Sequence, residues 1–407
     1  MNFHSADKEK IVKKCLSTLV CLVCSLLVLV CSAEAAKKYQ HKPFADGSCD
    51  SCHTSDKPDA ANISAQPPEL CNQCHDGFAG KFQHSPSSIG ACLFCHNPHE
   101  SDNAKLLNEP TASLCFQCHE QLEQEINKEQ NNVHAPAKDD CTSCHNPHAS
   151  DVSIKLLQKD IKNLCIDCHS EGGVSQPAEF DRVANKHQPI DSKKSCVTCH
   201  NPHASPLEAY LTAEPMDLCL RCHGENITRK DGKILPGLTK LLKENPDHHG
   251  PIKEKNCSGC HNPHGSNFYR ILQAEYPSGF YIEGYSRDKF KLCFTCHEAE
   301  AMEAKETTSL TNFRNGKTNL HYLHVNRDTK GRSCRACHAT HASVQPKHIR
   351  DSVPFGKKDW PLKLQYRVEY SNPATGEPCT TPSASCVKSG GSCVACHARL
   401  TYNYLKK

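Results

Sequence analysis

Large apolar side chains are scarce in this chain. Hydrophobic residues make up 37% of its 407 residues and aromatic residues 6%, with a single tryptophan, Trp360. That supply is thin for the length and excludes a conventional core as the main support of the fold. A large excess of either charge is also missing. The formal net charge is only +3, and neither nucleic acid nor an anionic membrane is expected as a partner. Long hydrophobic runs are confined to one place, the uncharged stretch from Cys15 to Ala33; no later segment is long or apolar enough to span a bilayer. Uninterrupted regular segments are few as well, because 25 Pro and 20 Gly punctuate the chain. This predicts short helices in much irregular chain, with little or no β-sheet.

The apolar stretch reads as an export signal. Lys8, Lys10, Lys13 and Lys14 precede it, and Ala33-Glu34-Ala35 supplies a small-x-small cleavage pattern, so the mature chain is expected to begin near Ala36. An uncleaved anchor and a lipidated Cys31 are the alternatives. The expected division is a signal at 1–35, repeats at 36–250, and repeats with insertions at 251–407.

Cysteine is abundant: there are 30. Cys15, Cys21, Cys24 and Cys31 lie in the apolar stretch. Cys379 and Cys386 stand alone, seven positions apart, and are candidates for a disulfide in an oxidising compartment. The other 24 form twelve copies of Cys-x-x-Cys-His. The copies are Cys49, Cys52 and His53; Cys71, Cys74 and His75; Cys92, Cys95 and His96; Cys115, Cys118 and His119; Cys141, Cys144 and His145; Cys165, Cys168 and His169. They continue with Cys196, Cys199 and His200; Cys219, Cys222 and His223; Cys257, Cys260 and His261; Cys293, Cys296 and His297; Cys334, Cys337 and His338; Cys393, Cys396 and His397.

This is the attachment signature of c-type haem. Two thiols three residues apart on one helical turn can add to the two vinyl groups of one haem. The next residue places an imidazole on the iron. Paired Cys-x-x-Cys also holds structural zinc, but zinc does not require His in the fifth place. With only 27 His in the chain, finding it there in all twelve copies favours haem.

The motifs fall into six repeats of two, whose first cysteines are Cys49, Cys92, Cys141, Cys196, Cys257 and Cys334. The repeats lengthen along the chain, as in an array of similar units rather than one closed domain. Insertions near Tyr276–Lys291 and between His348 and Cys393 are docking surfaces or ordinary loops.

The remaining histidines are regularly placed. His41, His84, His134, His187, His249 and His324 each precede a repeat's first motif, the first five within His-x-Pro. His99, His148, His203, His264 and His341 lie three residues after a motif His. These are the expected second axial ligands, with His348 as the twelfth. His324 competes with His321, and His53 lacks a local partner. The Asn-Pro between paired histidines is expected to force a turn, so that the second imidazole serves a neighbouring haem. Only Met216 and Met302 remain after the initiator, so at most two haems can be ligated by Met.

The unit resembles the doubled Cys-x-x-Cys-His family of multihaem cytochromes, used in long-range extracellular electron transfer by metal-reducing bacteria. The resemblance covers nearly the whole mature chain. It implies an elongated dodecahaem array with mostly bis-His, low-potential haems. The implied function is a conduit or carrier rather than an enzyme, exported to the periplasm, the outer membrane or the cell exterior. Implied partners are other cytochromes, a quinol-oxidising complex and an outer-membrane porin. Two alternatives stay open: a reductase with one open haem, and a subunit of a cytochrome filament.

Overall fold

The structure, a computed structural model, describes residues 37–406 apart from 56, 58, 170–181, 230–231, 233, 356–357, 364 and 395–396. The export signal with its four cysteines, and Cys396, lie outside the described residues.

Two compact units divide the chain. The first holds the described residues up to Glu123 together with Asp139–Leu157. The second holds Gln124–Lys138 and the chain from Gln158 onward. The boundary expected at residue 250 lies inside the second unit.

Helices are short because their signals are local. The His-x-Pro element illustrates this. His41, His84, His187 and His249 sit in extended conformation at the N-cap, and the Pro two residues on lies in the first turn of a short helix. Pro is favoured there because its missing N–H is one the helix leaves unbonded anyway. In most attachment motifs a helical turn forms, and the backbone N–H of the His bonds the carbonyl of the motif's first Cys. Examples are His53 to Cys49 (2.9 Å), His96 to Cys92 (3.0 Å) and His338 to Cys334 (2.9 Å).

Two-residue antiparallel strands connect successive repeats. The residues before a His-x-Pro pair with those after the post-motif His of the next repeat. In the first unit, Tyr39–Gln40 pairs with Glu100–Ser101, and Phe82–Gln83 with Ala149–Ser150. In the second, Asn132–Val133 pairs with Ala204–Ser205, Asn185–Lys186 with Gly265–Ser266, and Asp247–His248 with Ala342–Ser343. The serine of each returning strand is buried. Its Oγ donates to a carbonyl a few residues on, as Ser150 to Leu157 (2.6 Å) and Ser205 to Leu211 (2.6 Å).

The expectation of little or no β-sheet fails at the C-terminal end. Gln365–Ser371, Pro378–Cys379, Val387–Val394 and Leu400–Asn403 form a four-stranded antiparallel sheet in which the first strand lies between the second and the third. The alternation Tyr366, Val368, Tyr370 with Arg367 and Glu369 is a strand pattern with period two. Cys379 and Cys386 form a disulfide within this sheet region.

The apolar cluster is small and sits in the insertion of the fifth repeat. Leu272, Tyr276, Ile282, Phe290 and Val325 are buried together, and Met302 packs against them. That insertion is therefore a local core, not a loop.

Candidate haem-ligation sites

Histidine pairs recur at one spacing. In the first unit the ring centroids of His41 and His75 lie 5.9 Å apart, His53 and His99 6.1 Å, His84 and His119 6.3 Å, and His96 and His148 6.0 Å. In the second unit His134–His169, His187–His223 and His200–His264 are each 6.0 Å apart. His249–His297 is 6.1 Å, His261–His341 6.3 Å, His321–His338 6.5 Å and His324–His397 6.5 Å. An imidazole nitrogen lies about 2 Å from a ligated metal and its ring centre about 1.2 Å further, so two axial imidazoles on one iron have centroids about 6.3 Å apart. The spacing therefore fits a metal held between the rings. Ten of these eleven pairs have planes within 25° of parallel, whereas His324–His397 is tilted by 42°.

The backbone sets the tautomer. Nδ1 of His41, His84, His134 and His187 donates to the carbonyls of Pro98, Pro147, Pro202 and Pro263 at 3.0, 2.8, 2.9 and 2.7 Å. Each of these prolines belongs to the Asn-Pro-His of the following repeat. Nδ1 of His96, His145, His200, His261 and His338 donates to the carbonyls of Lys105, Lys155, Ala209, Arg270 and Lys347 at 2.7–3.1 Å. With Nδ1 protonated, Nε2 keeps its lone pair for a metal.

Those acceptor carbonyls come from an unusual turn. Lys105-Leu106, Ala209-Tyr210, Arg270-Ile271 and Lys347-His348 all have positive φ between 50° and 61°. Left-handed backbone costs about 1–2 kcal/mol per non-glycine residue. Its recurrence at one place in the repeat marks it as the device that turns a carbonyl back onto the motif His. No such turn follows His53, whose Nδ1 is buried and meets no acceptor among the described residues.

The Asn of Asn-Pro-His makes the other turn. Oδ1 of Asn97, Asn146, Asn201 and Asn262 accepts the backbone N–H of His99, His148, His203 and His264 at 2.9–3.0 Å. His99 lies opposite His53 of the preceding repeat, not its own motif histidine, and His148, His264 and His341 face His96, His200 and His261 in the same way.

Toward the C-terminus the geometry departs from the sequence expectation. The helix Leu320–Val325 is capped by the Asn319 side chain, which accepts from the backbone N–H groups of His321 and Tyr322. His321 and His324, three residues apart, face different motif histidines, His338 and His397. His348 faces neither. Its Nδ1 bonds the carbonyl of Asp247 (3.2 Å), and its ring lies edge-on to His249 at 5.4 Å. The repeat alignment carried a signal for this. His348 lies ten residues after His338, in the second left-handed position, as Tyr210 does after His200. Tyr210 likewise packs on a pre-motif histidine, His134, at 5.4 Å.

Burial suits these rings to ligation. His321 and His341 are each pushed down to about 4, first by burial and then by neighbouring histidines. His148, His187, His223, His249, His261, His264 and His338 are also lowered, with burial as the leading cause. A metal takes neutral imidazole, the form such burial selects.

The cysteines of successive motifs lie side by side. In the first unit the Cys71 thiol lies within hydrogen-bonding reach of Cys92 and near Cys52, Cys95 lies near Cys118, and Cys115 lies within hydrogen-bonding reach of Cys141. In the second, Cys165 and Cys196, Cys219 and Cys257, and Cys293 and Cys334 lie within hydrogen-bonding reach of each other as free thiols, while Cys199 lies near Cys222 and Cys260 near Cys296. Cys393 is different: it lies in the strand Val387–Val394 and pairs in register with Tyr366 and Leu400. No group of three or more His, Cys, Asp or Glu converges as a chelating cluster among the described residues. The donor set fits haem: paired thiols on one turn and imidazoles in opposed twos.

A family model described as the doubled CXXCH motif matches residues 41–80, 84–124, 134–173, 187–228 and 249–302, more than half of the chain. No match was found among curated proteins.

Proposed function

The chain belongs to the doubled CXXCH motif family of multihaem c-type cytochromes, and from that premise we propose that it carries twelve covalent haems c and passes electrons along them. Each haem, when bound, supplies a one-electron iron couple. The two thiols of a motif would tether it, and opposed imidazoles would ligate its iron. The proposed second ligands are His41, His84, His99, His134, His148, His187, His203, His249, His264, His321, His324 and His341. His321 takes the place that the sequence assigned to His348. His145 and His203, the remaining motif and post-motif histidines, belong to different units and are retained as axial ligands.

Closed axial positions leave no open site for a substrate, which favours an electron carrier over a reductase. His53, the weak point in the sequence, has His99 opposite it. The observation that carries the transfer role is the contact between thiols of successive motifs within each unit. Cofactors attached at touching points have their edges close together, and electrons hop between close neighbours.

The proposed setting is outside the cytoplasm, between a quinol-oxidising system and a further cytochrome or an outer-membrane acceptor. No helix among the described residues is long and apolar enough to cross a membrane. The test is haem content and mass of the purified protein, with low-temperature EPR of the oxidised form. Twelve low-spin haems are expected. A stoichiometric high-spin signal in the untreated protein would replace the carrier by an enzyme with an open iron.

A further inference from the structure

One residue closes the first attachment turn of four repeats, and in the last repeat it carries a charge. Just past the left-handed pair, the backbone N–H groups of Asn108, Thr212, Gln273 and Arg350 donate to the carbonyls of Cys95, Cys199, Cys260 and Cys337 at 2.8–3.0 Å. The side chains of Asn108, Gln273 and Arg350 then clasp the same turn. Asn108 Nδ2 donates to the Leu93 and Phe94 carbonyls, both at 3.0 Å, and Gln273 Nε2 to that of Ser258 at 3.1 Å. In the same place Arg350 Nη1 donates to the carbonyl of Arg335 at 2.7 Å. Arg335 is itself inside the Cys334–Cys337 turn. A neutral amide is thus replaced by a guanidinium, and a second guanidinium is added one contact away.

Both charges lie against an aromatic ring. Each guanidinium lies 5.2 Å from the centre of the Phe280 ring. Neither forms an ion pair with a carboxylate among the described residues. The nearby acids are engaged elsewhere: Asp247 with His348 and Asp351 with the Gln345 amide. Arg350 Nε is buried without an acceptor. Burial, and then Arg335, lower the Arg350 guanidinium from its usual value.

We infer that Arg335 and Arg350 raise the potential of the haem held by Cys334, Cys337 and His338. Reducing an iron adds one negative charge. A partly buried cation stabilises that added charge more than it would in water. Among the turn-closing residues named above only Arg350 is itself charged; at Thr212 a guanidinium arrives from outside, with Arg221 donating to its Oγ1 and its carbonyl at 3.1 Å. The inference rests on the proposed ligation, which pairs His338 with His321.

The experiment is a potentiometric titration of the intact holoprotein and two variants, followed in the haem absorption bands. Arg350→Gln installs the side chain that Gln273 already uses, so the clasp on the turn is kept. The expected result is unchanged haem content with one one-electron component moved to lower potential, its reduction constant falling about tenfold. Arg350→Lys should retain most of the wild-type position. His321→Met assigns the component, because Met ligation raises that haem alone. A titration of Arg350→Gln that superimposes on the wild type, with all haems present, overturns the inference. Loss of a haem in that variant also overturns it, by making Arg350 an attachment residue. If His321→Met moves no component, the ligand assignment has failed instead.

Discussion

Replacing His321 with Ala should open one haem, and replacing His348 should open none. The centroid spacing decides between them. His321 lies 6.5 Å from His338, with its plane 23° from parallel. That matches the spacing of about 6.3 Å worked out for two imidazoles on one metal. His348 is 5.4 Å from His249 and at 82° to it. His249 already faces His297 at 6.1 Å. Removing the His321 ring leaves His338 as the sole protein ligand of its iron, so the expected signal is one high-spin haem per chain. Removing His348 costs its contact with Asp247, a partly exposed interaction worth about 1 kcal/mol or less. The assay is EPR of both oxidised variants at matched haem content. A high-spin signal from His348→Ala, or none from His321→Ala, refutes the ligand geometry proposed for this end of the chain.

Two other substitutions test how the fold is held. Phe290 is fully buried in the small core of the second unit, so Phe290→Ala should destabilise that unit by about 3–5 kcal/mol. Guanidinium unfolding followed at the haem bands measures it, and a loss below about 1 kcal/mol would mean that the haems rather than this cluster carry the unit. Ser205 donates to Leu211 at 2.6 Å and accepts the N–H of Leu207 at 3.1 Å. Ser205→Ala should therefore cost about 1–2 kcal/mol in the same assay, and an unchanged midpoint would show that the left-handed turn at Ala209-Tyr210 stands without it.

Much of the site was legible in the chain because covalent attachment demands contiguous residues. Two thiols and an imidazole must occupy one turn, so Cys49 to His53 and its copies announce themselves. The second histidines were legible by position, since a repeat fixes offsets; His41 with Pro43 and His96 with His99 are examples. Their destinations were less so. That His99 faces His53 follows from the pairing of Tyr39–Gln40 with Glu100–Ser101, a contact between repeats that no local pattern encodes. His348 shows the failure most clearly. Counted as a spare histidine it looked like a ligand, whereas its place in the repeat belongs to the left-handed turn. The buried serines were missed because a lone Ser has no periodicity and is usually exposed.

Sequence alone determined the chemistry: which thiols attach a cofactor, which residue types can ligate it, and that a thin apolar supply must leave the fold to short elements around those motifs. These follow from composition and from spacings of a few residues. Tertiary structure alone decided which imidazole meets which, which carbonyl holds each ring in the tautomer a metal needs, and where a small core gathers. For the pre-motif histidines these depend on residues 57–76 positions apart being brought to hydrogen-bonding distance, and a linear pattern does not specify such closures.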